Sequence, residues 1–179
     1  MSRKVTAVVL CEDKQASTLL YRFLRRERGF ARVVMLPLPS GLGCGSQSVR
    51  ERYADEVRKQ RDKAVASVLI VHIDADSLSV ADRKQELAAA LASKGFPSRG
   101  PDEPISLVVP RRETENWLHH YLGRPGVAEG QKYPHFRDDE SRAAKPTVEA
   151  LVELVEGRAA APANLPSIGE AALELRRLP

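Results

Sequence analysis

The stretch Val68-Leu69-Ile70-Val71-His72-Ile73-Asp74-Ala75-Asp76-Ser77 decides the reading of the chain. It is a short apolar run, rich in β-branched residues, that ends abruptly in two acids. Its length and composition suit a buried strand. Asp74 and Asp76 then fall where the strand leaves the sheet. In open α/β sheets, ligands bind beyond that carboxyl edge. Neighbouring carboxylates repel, and holding them at the mouth of an apolar sheet is costly without a cation. The direct expectation is a divalent metal held by Asp74 and Asp76. The structural alternative is a turn or a helix cap, with Asp76 or Ser77 capping the next helix.

Outward from that stretch, strand and helix patterns alternate. Strands are expected at Val5–Leu10, Arg32–Leu38 and Ile105–Val109. Helices are expected at Lys14–Arg28, 47–63 and Val80–Lys94. A further helix opens at Arg111–Asn116 and carries Trp117, Leu118, Tyr121 and Leu122 on a buried face, with two more at Pro146–Glu156 and Ser167–Leu178. Such alternation implies an α/β fold, a four-stranded mostly parallel sheet with helices on both faces. Residues 123–144 read as irregular and polar, the segment best suited to mobility or to a partner.

The chain has 179 residues, 42% of them hydrophobic and 5% aromatic, with a formal net charge of +4. These values suit one domain with an aliphatic core, and the mild basic excess permits a polyanionic partner. Cys11 and Cys44 form no C-x-x-C pair, which argues against a zinc knuckle and fits a reduced, cytoplasmic protein. No stretch approaches the roughly 18 apolar residues that span a bilayer, and the N-terminus has no signal-peptide pattern.

A parallel sheet gathers the strand ends along one edge. Glu12 and Asp13 follow the first strand, and a glycine-rich loop (Gly41-x-Gly43-x-Gly45) follows the second. Asp74 and Asp76 follow the third, and Arg111, Arg112, Glu113 and Glu115 follow the fourth. This set suits metal-assisted phosphodiester chemistry with Mg²⁺ or Mn²⁺ on hard oxygen ligands. Glu12 can serve as ligand or as acid or base, and Arg111, Arg112 or Lys145 can neutralise developing charge. The glycine-rich loop is no P-loop and reads chiefly as a flexible connection. Arg50 and Arg52, early in the helix after it, are candidate contacts to a nucleic-acid backbone. Glu12-Asp13 has a plainer reading as helix N-terminal acids, His72 as a packed core histidine, and Trp117 as core.

A Glu after the first strand, in Val9-Leu10-Cys11-Glu12-Asp13, and a strand ending in Asp74-x-Asp76 resemble the Toprim domain. That module occurs in topoisomerases, primases, OLD-family nucleases and small bacterial proteins. Val109-Pro110-Arg111-Arg112-Glu113-Thr114-Glu115-Asn116-Trp117-Leu118 is similar to the Glu-x-Trp region of Toprim-like proteins of unassigned function. The resemblance implies a Toprim-like three-layer core over residues 1–122. Residues 123–179 are then an irregular segment and C-terminal helices packed on the core within one domain. It also implies Mg²⁺ on Asp74 and Asp76, Glu12 as catalytic acid or base, and Lys145 as the nearest match to the late lysine of OLD-type nucleases. The expected activity is a Mg²⁺-dependent nuclease on DNA or RNA in phage defence, working with an ATPase partner and able to form a homo-oligomer.

The sequence departs from the family pattern in two places. Asp13 stands where glycine usually follows the motif Glu, and Leu78 stands where a third acid would continue the series. A second metal then depends on Glu113 or Glu115. Two other readings compete: an inactive Toprim-shaped scaffold or nucleic-acid-binding module, and a receiver-like signalling domain built on Glu12-Asp13, Asp74 and Lys145.

Overall fold

The computed structural model describes residues 3–40, 45–63 and 65–179. Most of the glycine-rich loop, Gly41 to Cys44, lies outside the described residues. Strands β1 (Arg3–Leu10), β2 (Phe30–Met35), β3 (Ser67–His72) and β4 (Ile105–Val108) alternate with helices α1 (Lys14–Arg22), α2 (Gly45–Arg61) and α3 (Val80–Ser93). Helices α4 (Thr114–Tyr121), α5 (Glu140–Val155) and α6 (Pro166–Leu175) follow β4. The strands form one fully parallel sheet in the order β2-β1-β3-β4. The α/β class and the four-stranded sheet are as the sequence implies.

Alternation along the strands separates two apolar cores. Ala7 and Val9 of β1, Val68 and Ile70 of β3, and Val108 of β4 face a layer built from α1, α4, α5 and α6. Val8, Leu10, Leu69, Val71, Ile105 and Leu107 face the other layer, built from α2 and α3. All six residues of β3 are buried, because both its faces are covered. That is why its sequence is an unbroken apolar run and not an alternating one.

Local signals fix the helix ends. The Asp13 carboxylate accepts from the Ala16 N–H at 2.8 Å and caps α1. A π-helical turn at Phe23–Glu27 carries the chain to Gly29, whose φ of +67° suits glycine. Ser79 and Asp82 form a reciprocal capping box at the start of α3. The cap of α3 is therefore Ser79, and neither Asp76 nor Ser77 is spent on that role.

Several boundaries differ from expectation. β2 starts at Phe30, straight after the Gly29 turn, and its pairing ends with the Leu36 N–H on the Val9 carbonyl, because Pro37 has no N–H to donate. α5 begins six residues before Pro146, which the helix contains in its interior; the carbonyl of Arg142 forgoes its usual donor there. α6 starts one residue earlier than expected, at Pro166, and the Ser167 hydroxyl accepts from Trp117 Nε1 at 3.0 Å. Leu122 is exposed, whereas Trp117 and Leu118 are buried. Among the described residues no helix is long and apolar enough to cross a membrane.

The irregular segment before α5 is tied to α4. Asn116 Nδ2 lies 2.9, 3.0 and 2.8 Å from the carbonyls of Ala128, Glu129 and Gln131. The Tyr133 N–H donates to Glu113 at 2.6 Å, and His119 stands 3.0 Å from the Pro134 carbonyl. The segment expected to be mobile is thus fastened by side chains of the helix before it. Replacing Asn116 by Ala is expected to cost about 1–3 kcal/mol in urea unfolding, because the freed carbonyls lose their donor. It should also open residues 123–139 to limited proteolysis; unchanged stability and an unchanged digest would contradict this anchoring role.

Candidate metal centre at the β1–β3 switch point

The chain leaves β1 toward β2 on one side, and leaves β3 toward β4 on the other. The gap between β1 and β3 is therefore the topological switch point, where open α/β sheets place their ligands. The register pairs Leu10 with Val71, so Glu12 and Asp74 emerge side by side at the carboxyl edge. The Glu12 carboxylate Oε1 accepts from the Asp74 N–H at 2.9 Å. One ligand atom each from Glu12, His72 and Asp74 lie within 4.8 Å of one another, and this group can hold a metal ion.

The neighbourhood is built to keep that geometry. A Cβ on Gly45 would stand 2.8 Å from Glu12 Cβ and 3.0 Å from the Glu12 carbonyl, so only glycine lets α2 start against Glu12. This gives the last glycine of the loop a role in close approach. From α3, Arg83 donates through Nε to the Asp74 carbonyl at 2.9 Å and through an Nη to the Ala75 carbonyl at 3.3 Å. Arg83 also reaches Asp76 Oδ2 at 3.1 Å and Glu86 at 2.6 Å. Asp76 adopts φ +55°, a left-handed conformation that Asp tolerates better than most residues.

Electrostatics single out the buried pair. Burial pushes the Glu12 carboxyl up to about 7, with contacts to Asp74 opposing the rise. Asp74 is raised well above the ordinary carboxyl range by burial and by Glu12 beside it. Its Oδ1 is buried without a hydrogen-bond partner. Without a cation, two such carboxyls hold a proton in place of a second negative charge. His72 is fully buried, and burial lowers its value to about 4, so the imidazole is neutral and keeps a ligand lone pair. Its Nε2 stands 2.8 Å from Thr114 Oγ1 and 4.0 Å from Asp74 Oδ1.

The other sequence-selected residues have separate partners. Asp76 is turned outward to Arg83, with its side chain 57% exposed. Glu113 accepts from the Tyr133 N–H. Glu115 lies 2.5 Å from Nδ1 of His135. Arg111 donates to the Leu78 carbonyl at 2.6 Å and Arg112 to the Asp76 carbonyl at 3.3 Å, so both flank the Asp74–Leu78 loop. Arg50 lies 3.7 Å from Glu86, and Arg52 donates to the Pro37 carbonyl at 2.7 Å. Lys145 is exposed on α5, 3.9 Å from Glu149.

Three residues of the centre escaped the sequence reading, although two carried a signal. His72 and Asp74 are two apart, so a strand places them on one face. Arg83 falls among Val80, Leu87 and Leu91, the buried stripe of α3, where a cation needs a buried partner. Thr114 carried no signal beyond its place at a helix start. Comparison with protein-family models, with curated proteins and with solved structures finds no match to this chain.

A pH dependence follows. The native Glu12 carboxyl keeps its proton up to about 7, whereas the unfolded group releases it near 4.5. Its stabilisation is therefore complete below 4.5 and lost as pH rises through 7. His72 acts in the opposite sense, favouring the native state as pH rises from 4 to 6.5. From pH 6.5 to about 8, below the thiol and phenol range, the raised carboxyls dominate, and thermal stability in EDTA is expected to fall. Glu12→Gln should flatten that fall in calorimetric melts. A wild-type melting temperature that rises with pH through this range would contradict the assignment.

Proposed function

We propose that this chain is a divalent-cation-dependent phosphodiesterase of the Toprim nuclease type, acting on DNA or RNA. The observation that carries the reading is the buried Glu12–Asp74 pair at the switch point, with an orphaned carboxylate oxygen and a neutral histidine beside it. The donor set fits a divalent cation. Two carboxylates suit Mg²⁺ or Mn²⁺, and the imidazole of His72 shifts the preference toward Mn²⁺, because Mg²⁺ favours oxygen alone. When bound, such a cation supplies Lewis-acid polarisation of a phosphoryl oxygen.

The rest is the work of the chain's own residues. Glu12, Asp74 and His72 hold the cation, and the Asp74 N–H fixes the Glu12 carboxylate. Arg83 grips the carbonyls of Asp74 and Ala75, so the loop cannot turn Asp74 away. Arg111 and Arg112, anchored on that loop, put positive charge where a phosphodiester would approach. A separate ATPase belongs to the proposal as a partner, and phage defence as the setting, both on the likeness to OLD-type nucleases. An inactive scaffold is the second reading, favoured by the diversion of Asp76 to Arg83.

The test is incubation with plasmid, single-stranded DNA and RNA in Mn²⁺, Mg²⁺ or EDTA. Cutting is expected with Mn²⁺, more weakly with Mg²⁺, and not with EDTA. Glu12→Gln and Asp74→Asn should each lose at least about a hundredfold in rate, the scale set by loss of an acid–base or ligand group. Asp76→Asn should lose far less, because its carboxylate is bound to Arg83. Absence of metal-dependent cutting by the wild type on every substrate would leave the scaffold reading.

A further inference from the structure

A second buried carboxylate lies outside the Glu12–His72–Asp74 group. Glu115 has no exposed surface. Its Oε1 is 2.5 Å from Nδ1 of His135, and its Oε2 is buried without a hydrogen-bond partner. His135 itself is half-exposed. It sits in the fastened segment between Pro134, whose carbonyl meets His119, and Phe136, whose ring lies 4.6 Å from the His119 ring. Glu115 and His135 line a cavity of about 420 Å³ with Asp13, Lys14, Arg137 and Glu140.

A buried carboxylate against one imidazole nitrogen selects the tautomer. In the neutral imidazole this contact favours the proton on Nδ1, which leaves the lone pair on Nε2. The cavity lies beside the metal centre: Asp13 and Glu115, which line it, both bring their charge to bear on the Asp74 carboxyl. Asp13 follows Glu12, and Glu115 follows Thr114, whose hydroxyl touches His72. Glu12 is committed to the Asp74 N–H and nearly buried, which leaves the proton-accepting role to another group.

We propose that His135, oriented by Glu115, is the general base of phosphodiester hydrolysis at this site. The inference rests on the phosphodiesterase reading and adds to it. A water oxygen forms the new bond to phosphorus, and its proton passes to Nε2 of His135. The ester P–O bond breaks, its electron pair leaves on the departing oxygen, and that oxygen takes a proton from solvent. His135 then returns its proton to solvent. Glu115 touches no reacting atom and is a positioning residue. The charges facing His135 are Glu115 itself, Asp13 and Lys14 from the start of α1, Arg137 from its own segment, and Glu140 from α5. Lys14 lies 3.0 Å from Glu140, so part of this charge is already balanced.

The test compares wild type, His135→Ala and Glu115→Gln on single-stranded DNA with Mn²⁺. His135→Ala is expected to lose about 10²–10⁴ in kcat, the usual worth of a general base, with KM unchanged. Added imidazole should restore part of its kcat. Nitrogen NMR should show wild-type His135 protonated on Nδ1, and Glu115→Gln should move that proton to Nε2. If the wild type cuts and His135→Ala cuts equally well, or wild-type His135 carries its proton on Nε2, this proposal is overturned and the phosphodiesterase reading stands. If the wild type cuts nothing, both fall.

Discussion

Two carboxyl groups must share a nearly dry site at the end of adjacent parallel strands, and much of the surrounding structure answers that constraint. Glu12 and Asp74 are brought together by strand register, since Leu10 pairs with Val71 and each strand ends shortly after. A hydrogen bond from the Asp74 N–H to Glu12 ties the two strand ends together. The cost of burying two like charges is met by a proton in the free protein. A cation would meet it better, because it also satisfies the orphaned Asp74 oxygen.

The supports of this pair come from every side. Gly45 admits α2 against the Glu12 backbone, Arg83 reaches from α3 to the Asp74 and Ala75 carbonyls, and Thr114 at the start of α4 meets His72. Arg83 is a buried cation in an apolar stripe, and its partners are two backbone carbonyls and the carboxylates of Asp76 and Glu86. Such a residue is costly unless its hydrogen bonds are met, and here they organise the loop that carries Asp74. The pattern is that of ligands held by rigid elements, with outer groups fixing their orientation.

Much of this was legible in the sequence. The β-branched run ending in Asp74 announced a covered strand, and its alternation with helical patterns announced a parallel sheet with Glu12 and Asp74 on one edge. The partition of the acids was not legible. Asp74 and Asp76 look equivalent on the page, yet the left-handed turn at Asp76 sends its carboxylate to Arg83 while Asp74 faces Glu12. Glu113 and Glu115 also look like ligands, but one oxygen of each is engaged by Tyr133 or His135, twenty residues further on, through contacts with no sequence periodicity. The helix around Lys145 was misplaced for a related reason. Pro146 reads as a helix start, whereas packing of α5 on α1 and α4 carries the helix through it.

The central claim is that Glu12, His72 and Asp74 form one divalent-cation site. Anomalous diffraction from a crystal soaked in Mn²⁺ tests it most directly. The expected result is a peak within coordination distance of all three side chains, with Asp76 still on Arg83. A peak held by Asp76 and lacking Glu12, or no peak at the switch point at saturating Mn²⁺, would contradict it.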